Sequence, residues 1–220
     1  MLGNNRPQTH IMAANFVWQL PALSGGAGAK RVLGHLANDW SVSGIWRGAT
    51  GASYVVTPQY TSNGASVNIT GSPDYAPRIR IVGDTGSGCS SDPLRQLNAA
   101  AFAGPLPGSV GLDSGNDYAR SCFLSQLDLA VARTIRLGRG SSNLQFRLDI
   151  FNLFNQAAVI ARNATVQFAS PTTPTTATNL PFDANGNVVD ARARPRGAGF
   201  GVATDYQDPR TMQMQLRISF

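Results

Sequence analysis

The sequence predicts an all-β fold: part of an antiparallel transmembrane β-barrel, with about five strands and two long extracellular loops. Three observations predict it. The last ten residues alternate between apolar and polar without an error, which is the period of a strand. No long helical pattern interrupts a chain that contains 23 glycines and 13 prolines. The connections between the predicted strands have very unequal lengths, as they do in transmembrane barrels.

The closing stretch, residues 210–220, is the clearest strand. One predicted face carries only apolar side chains: Met212, Met214, Leu216, Ile218 and Phe220. The opposite face carries Arg217 and two glutamines, so it suits water. A soluble sheet can show this pattern. The closing strand of a membrane barrel shows it too, because lipid lies on one side and a wet lumen on the other.

Residues 10–20 are predicted to form the first strand. Its even-numbered positions from Met12 to Trp18 are apolar or small. Pro21 ends this strand because proline has no backbone donor for a ladder. The second predicted strand covers residues 36–48. One face presents Trp40, Val42 and Trp46, and the other presents Asp39, Ser41, Ser43, Ile45 and Arg47.

Residues 123–137 and 144–155 are the third and fourth predicted strands, joined by a short polar turn. Their apolar faces are rich in Leu, Ile, Val and Phe, while Asp128, Arg136, Arg147 and Asp149 lie on the polar faces. Arg133 falls on the apolar face. At mid-bilayer that would cost about 2–4 kcal/mol, but near the interface close to nothing. We expect its long side chain to reach the interface from the strand end.

Two long connections separate these strands, residues 49–121 and 156–209. They are rich in turn-forming Gly, Pro, Asn and Asp. A loop of this length counts against a compact soluble domain, whereas the outer loops of a membrane barrel are long. We therefore expect both to be extracellular. Residues 49–121 are expected to be irregular, with 54–56 and 78–82 as candidate short strands. The low-complexity piece 170–176 is expected to be mobile because it cannot bury a core.

Composition excludes few functions. The net charge is +6, and the arginines that supply it are scattered, so a nucleic-acid partner is not expected. No apolar run reaches the length of a transmembrane helix. The N-terminus lacks the apolar region of a signal peptide. Two cysteines, Cys89 and Cys122, suit a disulfide in an oxidising compartment as well as two free thiols, since spacing alone does not fix geometry.

Candidate chemistry is sparse, and we expect no enzymatic activity, metal or cofactor. No nucleophile, histidine and acid stand in a catalytic arrangement. The Asp183 loop hints at a calcium site but lacks the closing Glu, so an Asn-Gly turn is favoured. A polar lumen wall is the one candidate site: Asp39, Arg47, Asp128, Arg136, Arg147, Asp149 and Arg217. These residues would meet a plug or a solute, or form exposed ion pairs worth about 0.2–1 kcal/mol each.

Several stretches, taken in order and spacing, resemble the late barrel strands of TonB-dependent outer-membrane receptors. The similarity is greatest to the Oar-like group, whose members carry an N-terminal carboxypeptidase-regulatory-like domain. The resembling stretches are THIMAANFVWQLP (9–21), DWSVSGI (39–45), TG (50–51), LN (97–98), AF (101–102), QLDL (126–129), RT (133–134), FR (146–147), FNLFN (151–155) and the terminal Phe220. Loops 51–90 and 160–195 match loosely.

The resemblance implies a barrel of 22 strands in the outer membrane of a Gram-negative-type bacterium, filled by a plug and energised through TonB. Such receptors import scarce, bulky solutes; the solute here is unknown. The Phe220 strand resembles the signal read by the barrel assembly machinery. A signal peptide, a plug and a TonB-contacting segment are all missing from the sequence. We therefore expect residues 1–220 to be the C-terminal barrel part, with membrane lipid, the remaining barrel and the plug as partners.

Two other interpretations stay open. The first is a soluble or surface-exposed β-sandwich binding module, which would explain the alternation of the strands but not the unequal connections. The second is a small complete porin formed by self-association, which would need matched strand edges. A fragment with open edges is expected to aggregate or to form a non-native oligomer by itself, since unpaired backbone groups in hydrocarbon cost several kcal/mol each.

Overall fold

The structure, a computed structural model, describes residues 9–21, 38–62, 65–72, 77–86, 88–108, 118–138 and 142–220. The only helical segments within these ranges are two single 3-10 turns, Ala99–Ala101 and Asp190–Arg192. None of the helices described could cross a membrane. The strands, in chain order, are β1 (Ile11–Gln19), β2 (Trp40–Ala49), β3 (Ser53–Tyr54), β4 (Thr57–Ser62), β5 (Ala65–Ser66), β6 (Arg80–Ile81), β7 (Phe102–Ala103), β8 (Ala119–Arg120), β9 (Leu124–Arg136), β10 (Asn143–Phe151), β11 (Val159–Arg162), β12 (Thr165–Ser170), β13 (Thr173–Ala177), β14 (Ala203–Tyr206) and β15 (Thr211–Ser219). The all-β prediction is confirmed.

The chain divides into two compact units. The wall unit takes in the described residues of 11–49, 124–157 and 208–220. The loop unit takes in the described residues of 1–10, 50–123 and 158–207, and so contains both long connections.

The wall unit is one antiparallel sheet in the order β1-β2-β9-β10-β15. These are the five strands that the alternation predicted. The second begins at Trp40 rather than at residue 36, because Asp39 has a φ of 66°, outside the strand region, while Leu36 lies outside the described residues. The fourth ends at Phe151 rather than at residue 155, because Asn152 has a φ of 51°.

The strand registers bring the apolar positions onto one face. Phe16 pairs with Gly44, and Gly44 pairs with Leu129. On the other side of β9, Leu148 pairs with Val131 and with Met214. Gly44 makes room for its neighbour, since a Cβ there would lie 2.5 Å from the Phe16 ring. The sheet therefore has one apolar face along all five strands; the opposite face is largely polar on β9, β10 and β15 and mixed on β1, where it carries Ile11 and Val17.

The loop unit has a hydrophobic core of its own. Its small sheets pair β3 with β8, β6 with β7, β11 with β14, and β13, β12, β4 and β5 in that order. The pairing of β12 with β4 is parallel and joins residues more than 100 positions apart. The core is built from Val56, Tyr60, Ile79, Leu97, Ala101, Phe102, Val166, Phe168 and Phe200.

The two candidate short strands of the first connection overlap β3 and β6, but residues 49–121 contain more paired structure than the irregular insertion that was predicted. The low-complexity piece 170–176 was expected to be mobile, yet it forms the turn and much of the second strand of a β-hairpin. Ser170 pairs with Thr173, and Phe168 pairs with Ala177. The backbone N–H of Gly104 also donates to the carbonyl of Pro174, at 2.7 Å. Backbone pairing needs no apolar side chain, so a Thr-rich segment joins the sheet once its neighbours supply the core.

Candidate functional site

The apolar face of the wall unit is uncovered. Met12, Trp18, Met214 and Leu216, which lie on the two edge strands, expose 50–72% of their surface. All buried hydrophobic residues of the described ranges belong to the loop unit instead. Soluble monomers rarely expose a contiguous apolar patch above a few hundred Å². The lipid-facing side of a transmembrane strand is apolar by nature, so this face suits a bilayer.

The polar face of the sheet collects four of the predicted lumen-wall residues around one pocket. Arg47 of β2, Asp128 of β9, and Arg147 and Asp149 of β10 line a pocket of about 200 Å³. Asp149 pairs with Ala130 on β9 and with Gln213 on β15, so its neighbour on the β9 side is small. The sequence analysis thus selected residues that the fold brings together.

One strong ion pair lies in this pocket. The Nε of Arg147 donates to both carboxylate oxygens of Asp149, at 3.0 and 2.9 Å, and its Nη2 lies 2.8 Å from one of them. The two residues are two positions apart on β10, so they share a face. Asp149 therefore holds Arg147 along its own strand, which favours the ion-pair interpretation for these two residues.

The other predicted wall residues lie apart from this pocket. Asp39 is an exposed bend residue before β2, so it is not on the strand face where it was predicted. Arg136 is the last residue of β9 and pairs with Asn143 of β10. Arg217 of β15 pairs with Gln145 of β10. These two arginines share the polar face near the end of the sheet that carries the short β9–β10 turn.

Arg133 lies on the apolar face, and its charged side chain is accommodated there by contacts with Trp40 and Asn38 near the strand end. It pairs with Trp40, and its guanidinium lies 5.5 Å from the centre of the Trp40 ring. Its Nε also donates to the carbonyl of Asn38 at 3.2 Å. The side chain thus extends beyond the start of β2, as expected for an arginine near the membrane interface.

Sequence analysis missed the asparagines that fix the turn after β10. Asn152 is 2% exposed; its backbone N–H donates to Oδ1 of Asp128 at 2.9 Å, and its Nδ2 donates to the carbonyl of Asp208 at 2.8 Å. Asn155 accepts a hydrogen bond from the backbone of Arg210 at 2.9 Å. Both asparagines have left-handed φ, 51° and 50°. The signal was available, since Asn tolerates this conformation better than other residues with a side chain.

Aromatic side chains occur at both ends of the sheet. The indole Nε1 of Trp46 donates to the hydroxyl of Ser125 at 3.0 Å, which satisfies its polar group on the apolar face. At the other end, the side chain of Phe220 is 99% exposed. Phe220 therefore adds almost nothing to packing within the chain.

Cys89 and Cys122 form a disulfide in the loop unit, with their Cα atoms 5.4 Å apart. Arg162 lies beside it, with Nη2 3.7 Å from the Cys122 sulfur and the guanidinium 4.9 Å from the centre of the Tyr54 ring. The bond closes a loop within the long connection between β2 and β9. Such a covalent link suits a surface that faces an oxidising compartment.

The Asp183 loop is a hydrogen-bonded turn. Oδ1 of Asp183 accepts from the backbone N–H groups of Asn185 and Asn187, and Oδ2 accepts from the Asn187 side chain at 3.2 Å. These hydrogen bonds lower the pKa of Asp183, chiefly through Asn187. Within the described residues no group of three or more His, Cys or Asp side chains is placed to hold a metal.

An antiparallel sheet with one uncovered apolar face and one charged face defines the wall of a membrane β-barrel. Residues 4–213 match the family model described as an outer membrane beta barrel domain, and the chain belongs to that family. The expectation of an outer-membrane β-barrel protein is thereby confirmed, and the membership supports a location in the outer membrane. No curated protein and no solved structure matches the chain.

Proposed function

We propose that the wall unit is the C-terminal part of the barrel of a TonB-dependent, Oar-like outer-membrane receptor, with a role in transport and none in catalysis. The observation that carries the proposal is the open sheet. Within the described residues, β1 and β15 each pair with a single neighbour. Each unpaired backbone group in hydrocarbon costs several kcal/mol, and the smallest bacterial barrels close with about eight strands. The sheet therefore needs further strands at both edges.

In this proposal each surface has its own partner. The apolar face meets outer-membrane lipid, and the charged pocket around Arg147 and Asp149 faces the lumen, where a plug or a solute would pass. TonB acts through an N-terminal part of the receptor. The terminal strand, ending in Phe220, is read by the barrel assembly machinery. The support is the apolar face that all five strands share, the charged residues opposite it on β2, β9, β10 and β15, and the family-like stretches named above.

The alternative is a soluble or surface-exposed binding module. The loop unit supports this alternative, because the loop unit has a disulfide and a buried core, as a soluble domain does. The uncovered apolar face of the wall unit opposes it. Size-exclusion chromatography of the refolded chain separates the two, since the membrane protein needs detergent and the soluble module stays monomeric in plain buffer.

The proposal is tested in the outer membrane of the source bacterium. An antibody raised against the chain should detect a polypeptide several times longer than 220 residues in the outer-membrane fraction, and formaldehyde should cross-link that polypeptide to TonB. A periplasmic protein serves as the fractionation control. A product of the length of this chain, or one confined to the soluble fraction, would contradict the proposal.

A further inference from the structure

The loop unit contains a polar pocket of about 620 Å³ to which the function proposed for the wall unit assigns no role. Its floor is the parallel pair of β4 and β12, where Gln167 lies opposite Gln59. Alternation along these strands separates two environments. Gln59, Thr165 and Gln167 line the pocket, while the residue that follows each of them is at most 2% exposed and lies in the core: Tyr60, Val166 and Phe168.

The pocket's rim is held by hydrogen bonds. Nη1 of Arg192 donates to the carbonyls of Thr178 and Leu180, at 2.7 and 2.9 Å. Nδ2 of Asn163 donates to the carbonyl of Ala198 at 2.6 Å. Gly199 lets the two chain segments approach, since a Cβ there would lie 2.6 Å from the carbonyl oxygen of Asn179. The pocket is therefore formed before any ligand arrives.

Some side-chain donors and acceptors on the floor of the pocket make no hydrogen bond within the described residues. Nε2 of Gln167 donates to Oε1 of Gln59 at 3.2 Å. Among the described residues, the side-chain amino group of Gln59, the side-chain oxygen Oε1 of Gln167 and the hydroxyl of Thr165 have no partner, whereas the backbone carbonyl of Gln167 accepts from Thr178. An amide supplies both donors and acceptors, and a hydroxyl can act as either. A ligand in this pocket would meet donors and acceptors side by side.

The lining chemistry defines the ligand. It consists of amides, hydroxyls, glycines, one alanine and one guanidinium, without a carboxylate or an aromatic ring. Metal chelation is thus unsupported, and apolar ligands find little to pack against. A ligand with several neighbouring hydroxyl groups satisfies both donors and acceptors, and the volume lies in the range of small-molecule pockets, about 300–1,000 Å³.

We infer that this pocket binds a saccharide unit through Gln59, Thr165 and Gln167, with Arg192 at its rim. As recognition of a transported solute, the inference rests on the proposed function. Saccharide binding itself is a property of the loop unit alone, so the failure of one does not entail the failure of the other.

The test uses the full chain in a zwitterionic detergent, because sugar-based detergents would occupy the pocket. A glycan microarray of neutral and uronate-containing oligosaccharides identifies a binder, and calorimetry then measures its dissociation constant. Gln167→Leu and Thr165→Val should each weaken binding at least tenfold, because a site built to hydrogen-bond its ligand loses affinity when those groups are removed. Thr175→Val, on an exposed residue of β13 outside the pocket, is the matched control.

Two results would overturn the inference. The first is that no oligosaccharide on the array binds. The second is that the Thr165→Val chain, with its disulfide intact, binds as tightly as the Thr175→Val control. Thr165→Val is nearly isosteric, so it keeps the test valid even where Gln167→Leu disturbs folding. A large, TonB-linked polypeptide together with an empty array would remove the saccharide inference alone.

Discussion

The backbone N–H of Asn152 donates to Oδ1 of Asp128 across 2.9 Å, and so joins the turn after β10 to the neighbouring strand β9. The same asparagine reaches Asp208, immediately before β15, through its side chain. Three neighbouring strands of the sheet are thus tied at one end by one buried residue. This arrangement makes the turn specific, because the left-handed φ and the side-chain bonds must both be satisfied.

Asn152→Ala should be among the most destabilising changes in the wall unit. It removes the side-chain hydrogen bonds, worth about 0.5–1.5 kcal/mol each, and leaves alanine in a left-handed conformation that costs most residues about 1–2 kcal/mol but that asparagine tolerates. We expect a loss of about 2–4 kcal/mol in the free energy of unfolding, measured by denaturant unfolding of the full-length receptor in phospholipid vesicles. Asn152→Gly should lose about 1–2 kcal/mol less. Equal losses of unfolding free energy in the two variants would show that the left-handed backbone conformation is not the reason for an asparagine at this position.

The two faces of β15 should respond differently to charge. Met214→Arg places a cation on the apolar face near the middle of the strand and should cost about 2–4 kcal/mol in a bilayer. Gln213→Arg, one residue earlier on the polar face, should cost little. Folding of the full-length receptor into vesicles, followed by heat-modifiable gel mobility, measures both. Similar losses for both variants would be incompatible with a lipid-facing side.

The five long strands could be predicted from sequence because a period of two is a local signal. In β15, nine residues such as Met212 and Gln213 alternate by themselves. The predicted strand bounds differ from the observed ones where a single residue ends a strand. Asp39 and Asn152 leave the strand conformation through their φ angles, and no hydrophobic pattern reports that.

The loop unit could not be predicted in the same way. Its strands are as short as two residues, and the pairing of Thr57 with Thr165 depends on chain segments that are far apart in sequence. The alternation of Val166 and Phe168 with polar neighbours can be read from the sequence, but the identity of β4 as the strand that pairs with β12 cannot. The polar pocket follows from that non-local pairing, so Gln59 and Gln167 carried no signal of a site.

Loss of the disulfide should loosen the loop unit selectively. Cys89 and Cys122 are 33 residues apart, and closing a loop of that length stabilises a fold by about 3–4 kcal/mol in the chain-entropy account. In the Cys89→Ser, Cys122→Ser double variant, trypsin should cleave faster after Arg95 and Arg120. Cleavage after Arg147 in the wall unit should not change. Unaltered cleavage at the first two sites would show that the core alone holds this loop.

Tyr60 should make the loop unit sensitive to alkali. Burial raises the pKa of its phenol above the ordinary value of about 10, although Arg80 works against this, and its hydroxyl donates to the Pro105 carbonyl at 2.8 Å. Because the folded pKa exceeds the unfolded one, the stabilisation is present below pH 10 and is lost as the pH rises through the folded value.

Absorbance at 295 nm, which follows tyrosinate formation, should therefore show one tyrosine titrating late in the folded chain. Tyr60→Phe should remove that late component and cost about 1 kcal/mol of stability at neutral pH, through the lost hydrogen bond. A late component that persists in the variant would assign it to another tyrosine.

Deletion of Phe220 should impair assembly without affecting stability. Its side chain is almost fully exposed, so its removal costs little packing. In the full-length receptor, expressed in a Gram-negative host, the form that lacks Phe220 should reach the outer membrane several-fold less than the intact form, and Phe220→Trp should retain most assembly. Equal delivery of all three chains would exclude Phe220 as a recognition signal.

The central claim is that the sheet faces lipid on one side and water on the other. Nitroxide labels attached one at a time to cysteines introduced at residues 211–219 test it most directly, in the full-length receptor reconstituted in phospholipid vesicles. The two native cysteines of this chain are bonded to each other and do not take the label. Collision with oxygen, which concentrates in lipid, should be high at Met212, Met214, Leu216 and Ile218. Collision with a water-soluble nickel complex should be high at the positions between them. Uniform water exposure along the strand, or the opposite phase, would contradict the account.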